Sequence, residues 1–421
     1  MYYNGVGTGM KRLFLHRTNG LIARLPRSPT LTPPTSPLAA MLLKCLTMTS
    51  VMWFGVTASA ARPNVNIGSS RNSGHQSPPL SPLMFQSPLV TAEQVKSSLA
   101  ESNKSGDSKG RSIKFLDSSW HLDKSRDAKK EFLGEHLPGA QFFDIDAISD
   151  TSSPFPHMLP SATAFSEAVS ALGLENKDEI VVYTTQKCFS AARCWWTFRA
   201  FGHEKVYILQ GGLPAWQAAG GKTETGPAQA RPSRPPRGLV EQGGNAWLLQ
   251  KQGFQAKLQA DLVYSWQQVL KVVEGEEAEG QKHHWIADAR GPPRFNADVD
   301  EPRPGLARGH IPGSVNVPFD RVFEEGDWTR FRRPAEVVEV FAAQGVDVRS
   351  LSKERKVITT CGSGVTAAAL SFAMVLAGAD VTAVPVFDAS WAACTLRGRG
   401  SEGGKEHTRV GQSSMRKAVK R

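Results

Sequence analysis

The chain states one pattern twice. Phe115-Leu116-Asp117-Ser118-Ser119-Trp120 returns as Trp285-Ile286-Ala287-Asp288-Ala289-Arg290, and His136-Leu137-Pro138-Gly139 returns as His310-Ile311-Pro312-Gly313. The apolar run Ile180-Val181-Val182-Tyr183 has its counterpart in Lys356-Val357-Ile358-Thr359, again about 170 residues on. Two copies of one pattern call for two copies of one fold. Each apolar run is short and ends in turn residues, and helical spacing fills the intervals, as at 162–172 and 334–343. Strands alternating with helices imply a parallel sheet covered on both faces. The expectation is an α/β protein of two tandem domains, each a parallel sheet flanked by helices.

Composition sets the boundaries. Residues 1–90 are rich in Arg, Ser, Thr and Pro, and the first acidic residue is Glu93. That is the composition of a targeting leader, and it favours a mitochondrial transit peptide, with a plastid address as the alternative. The apolar stretch 39–61 competes as a signal anchor, but Lys44 and several Ser and Thr make it a weak span, so no stable membrane span is expected. A first domain is placed at 91–225 and a linker rich in Gly, Pro, Arg and Gln at 226–257. A second domain follows at 258–396 and a basic tail at 397–421. The acidic run 274–280 reads as a solvated loop.

The net charge of +11 sits at the ends, because residues 93–396 hold 34 basic and 37 acidic side chains. A folded body this close to neutral argues against nucleic acid as a partner. The five cysteines (Cys45, Cys188, Cys194, Cys361 and Cys394) have no metal-ligand spacing and no disulfide framework. They suit a reducing compartment with one or two working thiols, and no metal or organic cofactor is implied.

Cys361 is the thiol best placed to work. A β-branched run delivers it into Gly362-Ser363-Gly364, and Val365 and Thr366 open an Ala-rich helix. The glycines allow backbone N–H groups to converge on the sulfur, and the helix adds the positive end of its dipole. Both favour a thiolate nucleophile. A cysteine phosphatase would need an arginine where Ala367 stands, and the spacing from Cys188 to Arg193 is one residue short of that motif.

With these motifs in order, the chain resembles the two-domain rhodanese sulfurtransferases, and more narrowly their 3-mercaptopyruvate branch. The likeness spans about residues 108–396. It includes Phe142-Phe143-Asp144-Ile145-Asp146, His157-Met158-Leu159-Pro160, Phe189-Ser190-Ala191-Ala192-Arg193, Gly211-Gly212-Leu213-Pro214-Ala215-Trp216, Glu301-Pro302-Arg303-Pro304-Gly305 and Asp388-Ala389-Ser390-Trp391. The resemblance implies a non-catalytic first domain and a Cys361 persulfide formed from a small-molecule sulfur donor. A thioredoxin-like protein or a small thiol would serve as acceptor.

Thiosulfate-preferring relatives carry Arg and Lys after the cysteine, whereas Gly362 and Ser363 stand here. That difference favours 3-mercaptopyruvate, with Arg294 and Arg303 gripping its carboxylate. The resemblance further implies a proton relay of Ser363, His136 and Asp127, the last matched only by distance from His136. Thiosulfate as donor and a non-enzymatic binding module are the competing readings. Departures from the pattern include the loop Thr184-Thr185-Gln186-Lys187-Cys188, Gln210 before the Gly-Gly pair, and Ala392-Ala393-Cys394 after Trp391.

Overall fold

Two five-stranded parallel sheets carry the repeat. The computed structural model describes residues 84–104, 112–228, 253–275 and 284–396. In the first half the strands are β1 (Leu89–Val90), β2 (Ile113–Asp117), β3 (Gln141–Phe142), β4 (Glu179–Tyr183) and β5 (Val206–Leu209), in the spatial order β1-β5-β4-β2-β3. The second half uses β6 (Val263–Tyr264), β7 (His284–Asp288), β8 (Val315–Asn316), β11 (Lys356–Thr360) and β12 (Val386–Phe387), in the order β6-β12-β11-β7-β8. Counted within each half, the order is the same. Asp117 pairs with Tyr183 and Asp288 with Thr360, so the two Asp positions and the two strand ends are equivalent.

Strand residues alternate between faces, and each face has its own core. Leu116, Ile180, Val182 and Ile208 join a large cluster that continues into the second half through Ala287, Val357 and Val386. Phe115, Val181, Tyr183 and Tyr207 face a separate cluster with α1 (Ala92–Lys104) and α2 (Ala128–Gly134). Helix α3 (Ala162–Ala171) is capped by Ser161, whose side chain accepts from the Ala164 N–H. Helix α4 (Ala191–Ala200) is almost wholly buried, because it is sandwiched between the halves. Its Trp195 stands edge-on to Phe372 of α9 (Val365–Leu376), with ring centroids 4.9 Å apart. The halves therefore share one core.

A hairpin of β9 (Phe323–Glu324) and β10 (Asp327–Phe331) also reaches the first half. The Gln210 side chain both accepts from the Phe331 N–H and donates to its carbonyl, at 3.0 and 2.8 Å. The departure at Gln210 is thus a tie between halves, just ahead of α5 (Gly212–Ala218).

Two boundaries shift from those that composition suggests. Residues 84–90, assigned to the leader, belong to the fold. Phe85 is buried edge-on against Tyr207, and Leu89 and Val90 form the outer strand of the first sheet. Residues 253–257, assigned to the linker, pack on the first half, because Phe254 is an apolar anchor buried among Phe165, Phe198 and His203. The rest of the leader, most of the linker, the acidic run beyond Gly275 and the basic tail lie outside the described residues.

Candidate active site

Cys361 follows β11 directly and is buried, with its sulfur accepting hydrogen bonds from the N–H groups of Ser363 (3.4 Å) and Gly364 (3.1 Å). Val365 and Thr366 begin α9 without such a bond to the sulfur. The two glycines serve different ends. Gly364 sits at φ +85°, a left-handed conformation that side chains resist, and a Cβ there would lie 2.7 Å from the Asp388 carbonyl oxygen. Gly362 is needed for space, since a Cβ there would stand 2.8 Å from Arg294 Nη2.

The loop is held from behind by α10 (Ser390–Leu396). Ser390 Oγ accepts from the Cys361 N–H, and the N–H groups of Trp391 and Ala392 donate to the carbonyls of Cys361 and Gly362. Ala392 and Ala393 are buried in the apolar cluster around Trp391, with Cys394 packed against it, so the altered residues fill core.

Ser363 Oγ lies 3.1 Å from His157 Nδ1, and His157 Nε2 lies 2.8 Å from Asp146 Oδ1. A His157 tautomer with its proton on Nε2, toward the carboxylate, presents Nδ1 as an acceptor for the serine hydroxyl. The hydrogen bond from His157 holds the Asp146 carboxyl below the ordinary carboxylate value, against a smaller opposing effect of burial. Trp120 completes the set, donating from Nε1 to Asp146 Oδ2 at 3.0 Å and standing edge-on to the His157 ring.

This replaces the expected trio of Ser363, His136 and Asp127. His136 is buried, donates from Nδ1 to the Phe132 carbonyl at 2.9 Å, and stacks on the Phe132 ring. His310 does the same with Phe295. The repeated histidine therefore pins a turn to its neighbouring helix in both halves. Asp127 caps α2, its side chain accepting from the Lys130 N–H. The physical reason for the correction is reach, because the Ser363 hydroxyl is already met by a ring from the loop before α3. His157, Asp146, Trp120 and Arg193 stand in or beside motifs that mark the resemblance, and that was the available signal. The first half, expected to be non-catalytic, thus lends two side chains to the Cys361 loop.

The two arginines are placed unequally. Arg294, on α7 (Pro292–Phe295), is clamped by Glu301, its Nη2 2.5 Å from Oε2 and its Nε 3.2 Å from Oε1. Glu301 is tied in turn to Arg290, and Arg290 to Asp288 on β7, so charges of alternating sign run from the sheet to the pocket. Arg303 is half-buried and has no ion pair among the described residues. Burial draws its pKa below the usual guanidinium value, and the Cys361 sulfur opposes that, with Arg294 and Asp146 also within electrostatic reach.

In the first half, Thr184 stands where Cys361 stands in the second. Cys188 is buried, accepts from the Trp120 N–H, and has its pKa pushed up by burial. Arg193 turns toward Asp388 rather than toward Cys188, so no phosphate-gripping loop exists there.

A cysteine cradled between a parallel strand and a helix, in a twice-used five-strand topology, is the arrangement of a rhodanese-type sulfurtransferase. The rhodanese-like domain model matches residues 111–219 and 271–395, and the chain belongs to this family. It is 36% identical over 339 residues to the mitochondrial thiosulfate/3-mercaptopyruvate sulfurtransferase 1 of Arabidopsis thaliana, covering 80% of this chain and 82% of the relative. It is 40% identical over 266 residues to the 3-mercaptopyruvate sulfurtransferase of Escherichia coli K12, covering 63% and 82%. The crystal structure of the 3-mercaptopyruvate sulfotransferase SseA from Escherichia coli superposes with a TM-score of 0.55 at 34% identity, covering 72% of this chain and 99% of that one. Among the described residues no helix is long and apolar enough to cross a membrane.

Proposed function

We propose that the chain takes sulfane sulfur from 3-mercaptopyruvate onto Cys361, releases pyruvate, and passes the sulfur to a thiol or cyanide. One observation carries the choice of donor. Arg294 lies over Gly362, in space that a side chain at 362 would claim, and Arg303, which has no ion pair among the described residues, lies within electrostatic reach of both Arg294 and Cys361. Two guanidinium groups beside the nucleophile match a carboxylate that sits two carbons from the reacting sulfur.

The chemistry follows from the neighbours of the sulfur. The Cys361 thiolate attacks the sulfur of the donor, an S–S bond forms, and the C–S bond breaks. The electron pair passes to carbon and the leaving group is the enolate of pyruvate. The proton given up by Cys361 leaves by way of Ser363 to His157, and the same proton returns to the enolate. Asp146 stabilises the imidazolium in between, as a carboxylate does in a Ser-His-Asp triad. The N–H groups of Ser363 and Gly364 remain to stabilise charge on the persulfide. An acceptor thiolate, from a thioredoxin-like protein or a small thiol, then takes the outer sulfur, so the kinetics are ping-pong. The mitochondrial relative and the acid-free leader favour a mitochondrial site of action.

The test is to incubate the protein with 3-mercaptopyruvate and record its intact mass together with released pyruvate. Gain of one sulfur atom with one equivalent of pyruvate, both lost in Cys361→Ser, is expected. Charging by thiosulfate that outpaces 3-mercaptopyruvate would assign the other donor. Absence of charging by either would leave a binding module.

A further inference from the structure

The His157–Ser363 hydrogen bond joins two halves of the chain, and one buried ion pair brackets it. Arg193 of α4 and Asp388, just after β12, are both nearly inaccessible, with Nη1 2.6 Å from Oδ1. Arg193 Nη2 also donates to the His157 carbonyl, and Nη1 lies 3.5 Å from the Gly364 carbonyl oxygen. The other Asp388 oxygen accepts from the Leu159 N–H at 2.7 Å. The pair thus holds the backbone from the His157 carbonyl to the Leu159 N–H and, through Gly364, the turn that carries Ser363.

His157 needs such holding. It sits at φ +62°, a conformation that costs a residue with a Cβ about 1–2 kcal/mol and persists only where the surroundings enforce it. Its loop belongs to the first half in sequence but is seated on the second, where Phe155 and Met158 pack into the cluster around Trp391. A guanidinium suits this junction because its planar fork donates in several fixed directions at once, which a lysine ammonium on a flexible stem cannot reproduce. The face of Trp196, with its ring centroid 4.6 Å from the guanidinium carbon, fixes the plane of the fork.

We propose that Arg193 is a positioning residue that sets the distance and direction of the His157–Ser363 hydrogen bond. It acts on turnover through His157 and not through binding of the donor. The inference rests on the relay reading above.

The test is a mutant cycle of Arg193→Lys, His157→Ala and the double variant, read by single-turnover pyruvate release from 3-mercaptopyruvate. Arg193→Lys is expected to slow release about 10- to 100-fold while leaving apparent donor affinity within about twofold, since Arg294 and Arg303 are untouched. In the His157→Ala background the same substitution should cause no further loss, because residues acting as a unit are not additive. A normal rate for Arg193→Lys, or an undiminished loss in the His157→Ala background, overturns the role of Arg193 and leaves the relay standing. A normal rate for His157→Ala overturns the relay and this proposal with it. Should Arg193→Lys fail to fold, Asp388→Asn keeps the shape of the junction and weakens the ion pair. It should show a smaller loss that again vanishes without His157, and additivity there would also overturn the proposal.

Discussion

At the scale of single residues, the pocket depends on unequal arginines and unequal glycines. Arg294 is preorganised by Glu301, whereas Arg303 has no ion pair among the described residues and lies within electrostatic reach of the Cys361 sulfur. Removing either should cost a charge-assisted hydrogen bond to the donor carboxylate, on the order of 1.5–3 kcal/mol or one to two decades in kcat/KM. The expected outcome is that Arg294→Ala and Arg303→Ala lose 3-mercaptopyruvate activity by that amount and thiosulfate activity by far less. Equal losses on both donors would show general electrostatics instead. Gly362→Ala should resemble Arg294→Ala in donor dependence, because its methyl would displace Nη2 from 2.8 Å. Gly364→Ala should depress both donors and stability together, since it opposes the left-handed turn and meets backbone at 2.7 Å. Measuring both donors for the two glycine variants separates space from conformation.

At the scale of elements, the repeat shows what happens when one copy loses a partner. On β7, Asp288 is neutralised by Arg290, two residues on. On β2 the equivalent Asp117 has Ser119 in that place. It accepts the Ser119 N–H through Oδ1, and no cation pairs with it among the described residues. Burial pushes its pKa from 3.8 to about 6. The folded carboxyl therefore stays protonated while the unfolded one ionises. Stability from this group is fully present below pH 3.8 and is lost as the pH rises to about 6. The loss amounts to about 3 kcal/mol and is complete above that range. Asp117→Asn should accordingly melt higher than the parent at pH 7.5, with the advantage shrinking toward zero near pH 4. Parallel melting curves across that range would clear Asp117 of the effect. The same contrast explains the divergent loop after β4. With Thr184 at the position that Cys361 holds in the second half, nothing there calls for the glycine turn that follows Cys361.

At the scale of the whole molecule, two half-proteins share one core and one active site, and this decided what the sequence could reveal. The two central strands of each half were legible because they follow local periodicity and are stated twice, and the Cys361 turn was legible from its own glycines. The proposed relay was not, because its residues meet only across the interface between the halves. His157 and Ser363 are 206 residues apart in sequence, and no local pattern ranks His157 above His136, which looks more regular for being repeated. Both margins of the first half were misjudged for a related reason. Composition marks where polar sequence ends, but Phe85 and Phe254 are single apolar anchors inside polar stretches. The inner edge of the leader is open to a direct test. Val90 and Leu89 pair with Leu209 and Ile208, and Pro88 accepts from the Ile208 N–H, so this segment completes the first sheet and covers the edge of β5. A chain beginning at residue 79 keeps the strand and Phe85, and one beginning at residue 91 loses both. Deleting a buried phenylalanine costs about 3–5 kcal/mol, which for a protein of this size lowers Tm by roughly 4–8 °C. The shorter chain should therefore melt lower and, with β5 left as a bare edge, aggregate more readily on heating. Its kcat for 3-mercaptopyruvate, measured on the folded fraction, should stay close to that of the longer chain, because Phe85 and Val90 belong to the cluster on the α1 and α2 face, which holds neither Cys361 nor the residues of the His157 loop. Equal melting of the two chains would return residues 84–90 to the leader.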